Sequence, residues 1–219
     1  VTQKVINTGE TPTALFPYGL IARSGTPDTL GFYILHEGPL GVFDGTLREY
    51  DYDDVQETRK IEVTSNGGWI GITDKYWLAA LVPDQAEKFT YRFLHSVKNK
   101  DDTYQVDYVG PSSRLAAGAS IETTNRLFAG AKEVKLLDEY GEKFGIPDFD
   151  RAVDFGWFYF LTKPFFYAIS WLNSYLGNFG LAILAFTVLV KAVFYPLANK
   201  SYRSMAKMRD LTPKLMTLR

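Results

Sequence analysis

The sequence predicts a multi-domain membrane protein in which an antiparallel β-sandwich domain is followed by α-helical interfacial and transmembrane segments. Three observations carry that prediction: short strand-like runs punctuated by turns over the first half, a long uncharged stretch near the end, and a charge balance that divides at Arg151. Residues 1–151 hold 16 Lys and Arg against 23 Asp and Glu, a net of −7, whereas residues 152–219 hold 8 against 2, a net of +6. The overall charge of −1 over 219 residues therefore averages two different objects. The chain has no cysteine and two histidines, which excludes disulfides, thiol nucleophiles and cysteine-bearing zinc sites.

Residues 1–29, rich in Gly, Thr and Pro, read as loop or edge strand. From Leu30 to about Arg126 apolar and aromatic runs alternate with turn signals, and no helical period is sustained. The clearest hairpin sets Phe89, Tyr91 and Phe93 opposite Tyr104, Val106 and Tyr108, both at period 2, around Asn99-Lys100-Asp101-Asp102. A second turn at Asn66-Gly67-Gly68 leads into Trp69-Ile70-Gly71-Ile72, and a strand from Tyr76 to Val82 follows the polar break at Asp74-Lys75. This spacing is that of two antiparallel sheets packed face to face, with alternate aromatics inside and carboxylates in water. The acidic stretch Glu49 to Asp54, with Glu57 beyond, lacks the glycine and terminal glutamate of a calcium loop and reads as a solvated edge or loop. His36 and His95 fall within expected strands as hydrogen-bonded structural residues. No phosphate-binding loop, nucleophile elbow or metalloprotease motif occurs.

Within residues 131–144, Val134, Leu137, Tyr140 and Phe144 recur at helical spacing, so a short amphipathic helix is expected to cap the sandwich. Gly145-Ile146-Pro147-Asp148 ends it and joins the domain, residues 1–130 with this 131–153 linker, to the basic part.

Residues 164–190 carry no charge, and nine of the 19 residues from Trp157 to Tyr175 are aromatic. Residues 154–178 are read as an interfacial amphipathic helix, with Trp157, Tyr159, Trp171 and Tyr175 at the headgroup level and Pro164 arguing against a span. Phe179 to Leu197 is the spanning candidate: its length is about 28 Å at ~1.5 Å per residue, close to the hydrocarbon thickness. Residues 179–199 are thus assigned to the membrane. Beyond them Lys200, Arg203, Lys207, Arg209, Lys214 and Arg219 face only Asp210, which places residues 200–219 in the cytoplasm and residues 1–153 outside, in the bacterial periplasm. No export signal precedes Val1, and the helical pattern Met205, Met208, Leu211, Leu215, Leu218 runs on without a stop. The expectation is an internal piece of a longer, multi-pass inner-membrane protein.

Lys191 sits inside the span, about 18 Å along the axis from Phe179. An intramembrane lysine costs roughly 2.5–3.5 kcal/mol on insertion scales and is by default functional. Thr187, Lys191 and Tyr195 recur every four residues and share one helix face, a polar stripe on an apolar helix. Two readings stand: a water-lined cavity, which the depth favours, or snorkelling to a cytoplasmic interface about 13 Å away.

Several motifs resemble one family. They are Asp154-Phe155-Gly156-Trp157, Pro164-Phe165, Gly177-Asn178-Phe179-Gly180, a basic residue four before Tyr195-Pro196-Leu197, and Ser204-Met205-Ala206-Lys207-Met208-Arg209 with Pro213-Lys214. Together they closely resemble the Gram-negative type of the YidC/Oxa/Alb membrane insertases. Weaker similarity reaches back through Leu127-Phe128-Ala129-Gly130 and Gly67-Gly68-Trp69-Ile70. The resemblance implies a periplasmic β-supersandwich, a second transmembrane helix at 179–199 and a cytoplasmic helical region. It also implies a hydrophilic intramembrane groove lined by Lys191, Thr187 and Tyr195. The family's usual residue at position 191 is arginine, so the charge is kept and the bidentate fork is lost. The implied function is non-enzymatic: a chaperone and insertase for nascent inner-membrane proteins, alone or with the Sec translocon. No cofactor and no specific nucleic acid are implied, and the basic region is expected to meet ribosomes or lipid. Two other readings are a membrane-anchored carbohydrate-binding or sugar-processing β-sandwich, on the expected exposure of Trp69 and Trp77, and a one-span sensor.

Overall fold

The computed structural model describes residues 1–29, 35–98 and 100–216, with side chains described as far as Met205 and at Met208. The chain divides into two units, Val1–Asp154 and Phe155–Arg219.

Among the described residues of the first unit, thirteen strands run in chain order: β1 Thr2–Ile6, β2 Thr13–Leu15, β3 Tyr18–Ser24, β4 Gly38–Phe43, β5 Thr46–Glu49, β6 Lys60–Asn66, β7 Trp69–Thr73, β8 Trp77–Val82, β9 Lys88–Lys98, β10 Asp101–Val109, β11 Ser113–Leu115, β12 Ser120–Thr124 and β13 Arg126–Ala131. The aromatic hairpin is β9 and β10, in the register Tyr104↔His95, Val106↔Phe93 and Tyr108↔Tyr91. Its period-2 aromatics all point one way and are buried. Asn99 lies outside the described residues. Strands β3-β10-β9-β6 make one antiparallel sheet, β13-β8-β7-β4-β5 make another, and β1-β12 and β2-β11 form two ribbons. The first 24 residues thus contribute three strands to the fold, with β3 at a sheet edge.

The two large sheets pack face to face. Phe89, Tyr91, Phe93, Tyr104, Val106 and Tyr108 from the first meet Phe43, Ile70, Ile72 and Leu81 from the second. Rings interlock in the layer, with Phe43 and Tyr91 of opposite sheets 4.9 Å apart by centroid and Phe89 edge-on to Tyr108 of its own sheet at 5.4 Å, arrangements favoured by the aromatic quadrupole.

The second sheet is buried on both faces. Its alternate residues Leu40, Val42, Trp69, Leu78, Ala80 and Val82 point the other way, into a second core with Leu137, Ile146, Phe149 and Ala152. The amphipathic helix α2 is Val134–Phe144, stopped by Gly145 at φ 63°, whose N–H bonds back to the Gly141 carbonyl. It covers the outer face of the five-stranded sheet as a third layer. A 3-10 turn, Phe149–Ala152, packs beside it. Double coverage explains why Trp69 to Thr73 is buried at every residue rather than alternately. It also corrects the expected exposure of Trp69: the indole is fully buried, donates to the Pro147 carbonyl at 3.0 Å and meets Phe149 edge-on at 5.4 Å.

Two further positions differ from expectation. The acidic stretch after Glu49 folds into a short helix, α1 (Tyr52–Thr58), with Asp51 N–H donating to Asp54 and with Tyr52 and Val55 buried. His36 precedes β4 rather than lying in a strand, and its Nε2 sits 3.2 Å from the Pro39 carbonyl. His95 does lie in β9, 2.8 Å from Asp102.

In the second unit, helix α3 is Tyr159–Leu176 and contains Pro164. The missing N–H at Pro164 forfeits one bond to the Phe160 carbonyl, yet the helix continues. Gly177, at φ 64°, ends α3, and its N–H bonds to the Asn173 carbonyl. Helix α4 then runs unbroken from Phe179 to Met216, through Pro196 and well beyond Leu197. Phe165 meets Phe186 edge-on with centroids 5.0 Å apart, so α3 folds back against α4.

Candidate functional site

Helix α4 begins because Asn178 caps it: its side-chain oxygen accepts the Leu181 N–H at 3.2 Å and its carbonyl accepts the Ala182 N–H at 3.0 Å. Residues Phe179–Met205 are long and apolar enough to cross a membrane, by length and composition. That stretch is about 40 Å at ~1.5 Å per residue, enough for the hydrocarbon and one headgroup layer.

The faces of α4 differ. Ala182 is fully buried and Phe186 meets α3 through Phe165, so this row is the seam between the two helices. Thr187, Lys191 and Tyr195 form the next row, turned by about 100° from the seam and rising about 12 Å from first to last. All three are exposed. The Thr187 hydroxyl donates to the Ile183 carbonyl at 2.8 Å, which satisfies its proton within the helix and leaves its lone pairs outward. Among the described residues Lys191 has no ion pair, so its ammonium is free to meet a polar group from elsewhere. Around this row Ile183, Leu184, Val188 and Phe194 are apolar and exposed. A point charge, a hydroxyl and a phenol are thus held in line on a hydrocarbon surface, an arrangement suited to receiving acidic or hydrogen-bonding groups.

The four aromatics expected at the membrane interface separate into two kinds. Trp157, Trp171 and Tyr175 are 83%, 60% and 73% exposed, with the rings of Trp171 and Tyr175 4.9 Å apart. Tyr159 is half-buried instead, with its hydroxyl 3.0 Å from the Lys163 ammonium and its ring 5.6 Å from that of Phe155. Lys163 was not singled out from sequence, although its spacing of four from Tyr159 could have found it. Lys200 and Arg203 are exposed on the continuation of α4. The side chains of Lys207, Arg209 and Lys214, and the whole of Arg219, lie outside the described residues.

In the β-unit, Asp107 is fully buried on β10 and is held by Arg92 at 2.6 Å and Gln105 at 2.6 Å, a structural cluster on the outer face of the four-stranded sheet. Among the described residues no group of three or more metal-ligating side chains comes together.

Residues 1–168 match the family model described as the YidC periplasmic domain, and residues 171–219 match that of the 60Kd inner membrane protein. A protein of Granulibacter bethesdensis named membrane protein insertase YidC is 51% identical, over 100% of this chain and 39% of its own length. The protein of the same name from Rickettsia prowazekii is 44% identical, over 98% of this chain and 39% of its own length. The chain therefore spans about two fifths of the curated relatives it matches.

Proposed function

The chain belongs to the YidC family, and on that premise we propose that the protein is a membrane protein insertase and chaperone in which α4 supplies the charged row of a hydrophilic intramembrane groove. The observation that carries this reading is the exposed Thr187, Lys191, Tyr195 row on a helix otherwise apolar enough to cross a bilayer. The mechanism is physical. A wet, polar groove lowers the cost of desolvating the hydrophilic terminus of a client, and a fixed positive charge in a low-dielectric setting attracts its acidic residues. The client's apolar segment then moves into lipid. No bond is made or broken, so the role is not enzymatic.

The clients are nascent inner-membrane proteins, reached alone or together with the Sec translocon. Residues 1–153 stand in the periplasm and residues 200–219 in the cytoplasm, an orientation supported by Lys200, Arg203 and the basic residues after them. That basic end meets ribosomes or anionic headgroups. On α3, the exposed Trp157, Trp171 and Tyr175 rest at the headgroup level.

The test is insertion of a small acidic-tailed client by the full-length protein carrying Lys191→Ala or Lys191→Glu. Alanine is expected to slow insertion and glutamate to slow it further, through repulsion. Unimpaired insertion by both variants overturns the role of the charge.

A further inference from the structure

The turn between β7 and β8 is rigid and presents two large aromatics to water. Asp74 N–H donates to the Trp77 carbonyl at 2.9 Å, and the Thr73 hydroxyl reaches the same carbonyl at 3.2 Å. Lys132 N–H donates to the Tyr76 carbonyl at 2.9 Å, and the Asp74 carboxylate is paired with Arg23. The backbone is thus pinned on both sides. Nevertheless Tyr76 and Trp77 are 64% and 61% exposed, and the Lys75 ammonium lies 5.0 Å from the Tyr76 ring centroid. A floppy loop could hide its aromatics, but this one holds them out.

The place of the turn in the β-unit gives the exposure a meaning. Gly38 pairs with Thr73, Thr73 with Leu78 and Trp77 with Ala131, so the turn marks one end of the five-stranded sheet. The chain leaves the unit at the same end, where Asp154 accepts the His36 N–H at 3.2 Å and Glu37, beside His36, accepts the Lys75 N–H at 3.2 Å. Only residues 155–158 separate Asp154 from the first residue of α3. Covalent connectivity alone, whatever the disposition of the two units, keeps Asp154 within about 19 Å of that residue, at ~3.8 Å per step. The connecting segment itself contains Trp157, 83% exposed.

We infer that the Lys75-Tyr76-Trp77 turn is a second lipid-contacting element, which seats the exit end of the β-unit on the headgroup layer of the bilayer. Trp and Tyr prefer that layer because one part of the ring system is apolar and another is wet, and a lysine beside them pairs with phosphate. The acidic groups at this end are partly offset by cations and held by hydrogen bonds. Asp74 is bound to Arg23, Glu37 and Asp154 accept backbone N–H groups, and Glu49 and the other three surround Lys132.

The inference rests on the reading that the helical unit is embedded in a membrane, so the experiment reads both. The chain has no cysteine, which permits single nitroxide labels at Tyr76→Cys, Ala86→Cys and Trp157→Cys in the 219-residue chain reconstituted into phosphatidylcholine vesicles. Ala86 lies in the exposed turn that follows the far end of β8. Collision of each label with oxygen and with a water-soluble nickel chelate is measured by electron paramagnetic resonance. The expected result is an oxygen-to-nickel ratio several-fold higher at positions 76 and 157 than at 86. A lipid-like ratio at 157 with equal, water-like ratios at 76 and 86 overturns the lipid-contacting turn alone. Water-like ratios at all three overturn the membrane reading and the turn with it. As a second measurement without labels, brominated lipids are expected to quench less tryptophan emission in Trp77→Phe than in the parent; equal quenching counts against the turn.

Discussion

Trp69→Phe probes whether the helical layer is truly fastened to the five-stranded sheet. The substitution keeps an aromatic ring beside Phe149 but removes the indole N–H that bonds Pro147 at 3.0 Å. The lost bond and the carbonyl left unsatisfied in a partly buried site cost about 2 kcal/mol. The void left where the larger ring system stood adds roughly 1 kcal/mol. For a unit of this size, Val1–Asp154, each kcal/mol lowers Tm by about 2–4 °C. The expected shift is therefore about 6–12 °C, followed by near-ultraviolet circular dichroism on heating. Trp77→Phe is the matched control: the same chemical change at a residue 61% exposed should stay within about 0.5 kcal/mol. A Trp69→Phe melt within about 2 °C of the parent would refute the claim that this indole fastens the third layer.

Two other perturbations address the sheets. Burial pushes the Tyr52 and Tyr108 hydroxyls up to about 12 and raises Tyr91 as well. An unfolded tyrosine loses its proton near pH 10, so stability is intact below that value and declines as pH rises toward 12, by about 1.4 kcal/mol per pH unit for each such group. Tyrosinate absorbance at 295 nm should accordingly show a late, cooperative step coincident with loss of sheet signal; a single smooth titration with the sheets intact would contradict it. Arg92→Ala strips the guanidinium from Asp107, which is fully buried, and should cost about 3 kcal/mol in urea unfolding. Asp107→Asn keeps hydrogen-bonding capacity without the charge and should cost less; the reverse order would contradict the assigned pairing.

Legibility in the sequence tracked the range of the interactions. The β9 and β10 hairpin was readable because its partners are adjacent in sequence and its aromatics alternate. Helix α2 was readable from Val134, Leu137, Tyr140 and Phe144, but its partner was not, because the outer face of a strand carries no label saying what covers it. The same blindness made Trp69 look like a surface residue. Strands β1, β2 and β3 pair with β12, β11 and β10, about eighty residues or more away, so nothing local marks them. Helix α1 was hidden by its carboxylates: Tyr52 and Val55 were its only apolar signal, and the Asp51 and Asp54 spacing that caps it resembled a solvated loop.

The polar row on α4 was visible as a spacing of four, but its phase relative to the seam needed coordinates. Had Thr187, Lys191 and Tyr195 coincided with the row of Ala182 and Phe186, α3 would cover them and the charge would be part of a closed helix pair. Displaced by about 100°, the row faces away from that contact, onto a surface where Ile183, Val188 and Phe194 are also exposed. In a bilayer such a surface meets either lipid or further protein. Lipid leaves Lys191 to snorkel across about 13 Å toward the level of Lys200, farther than a four-carbon stem extends. Protein and water instead give the ammonium a polar setting at its own depth, and a lysine can work there as a point charge even without the paired donors of an arginine. Lys191→Arg separates the two demands. It retains the charge and adds the fork, so insertion of an acidic-tailed client should equal or exceed that of the parent, whereas a loss comparable to Lys191→Ala would mean that the compact ammonium itself is required.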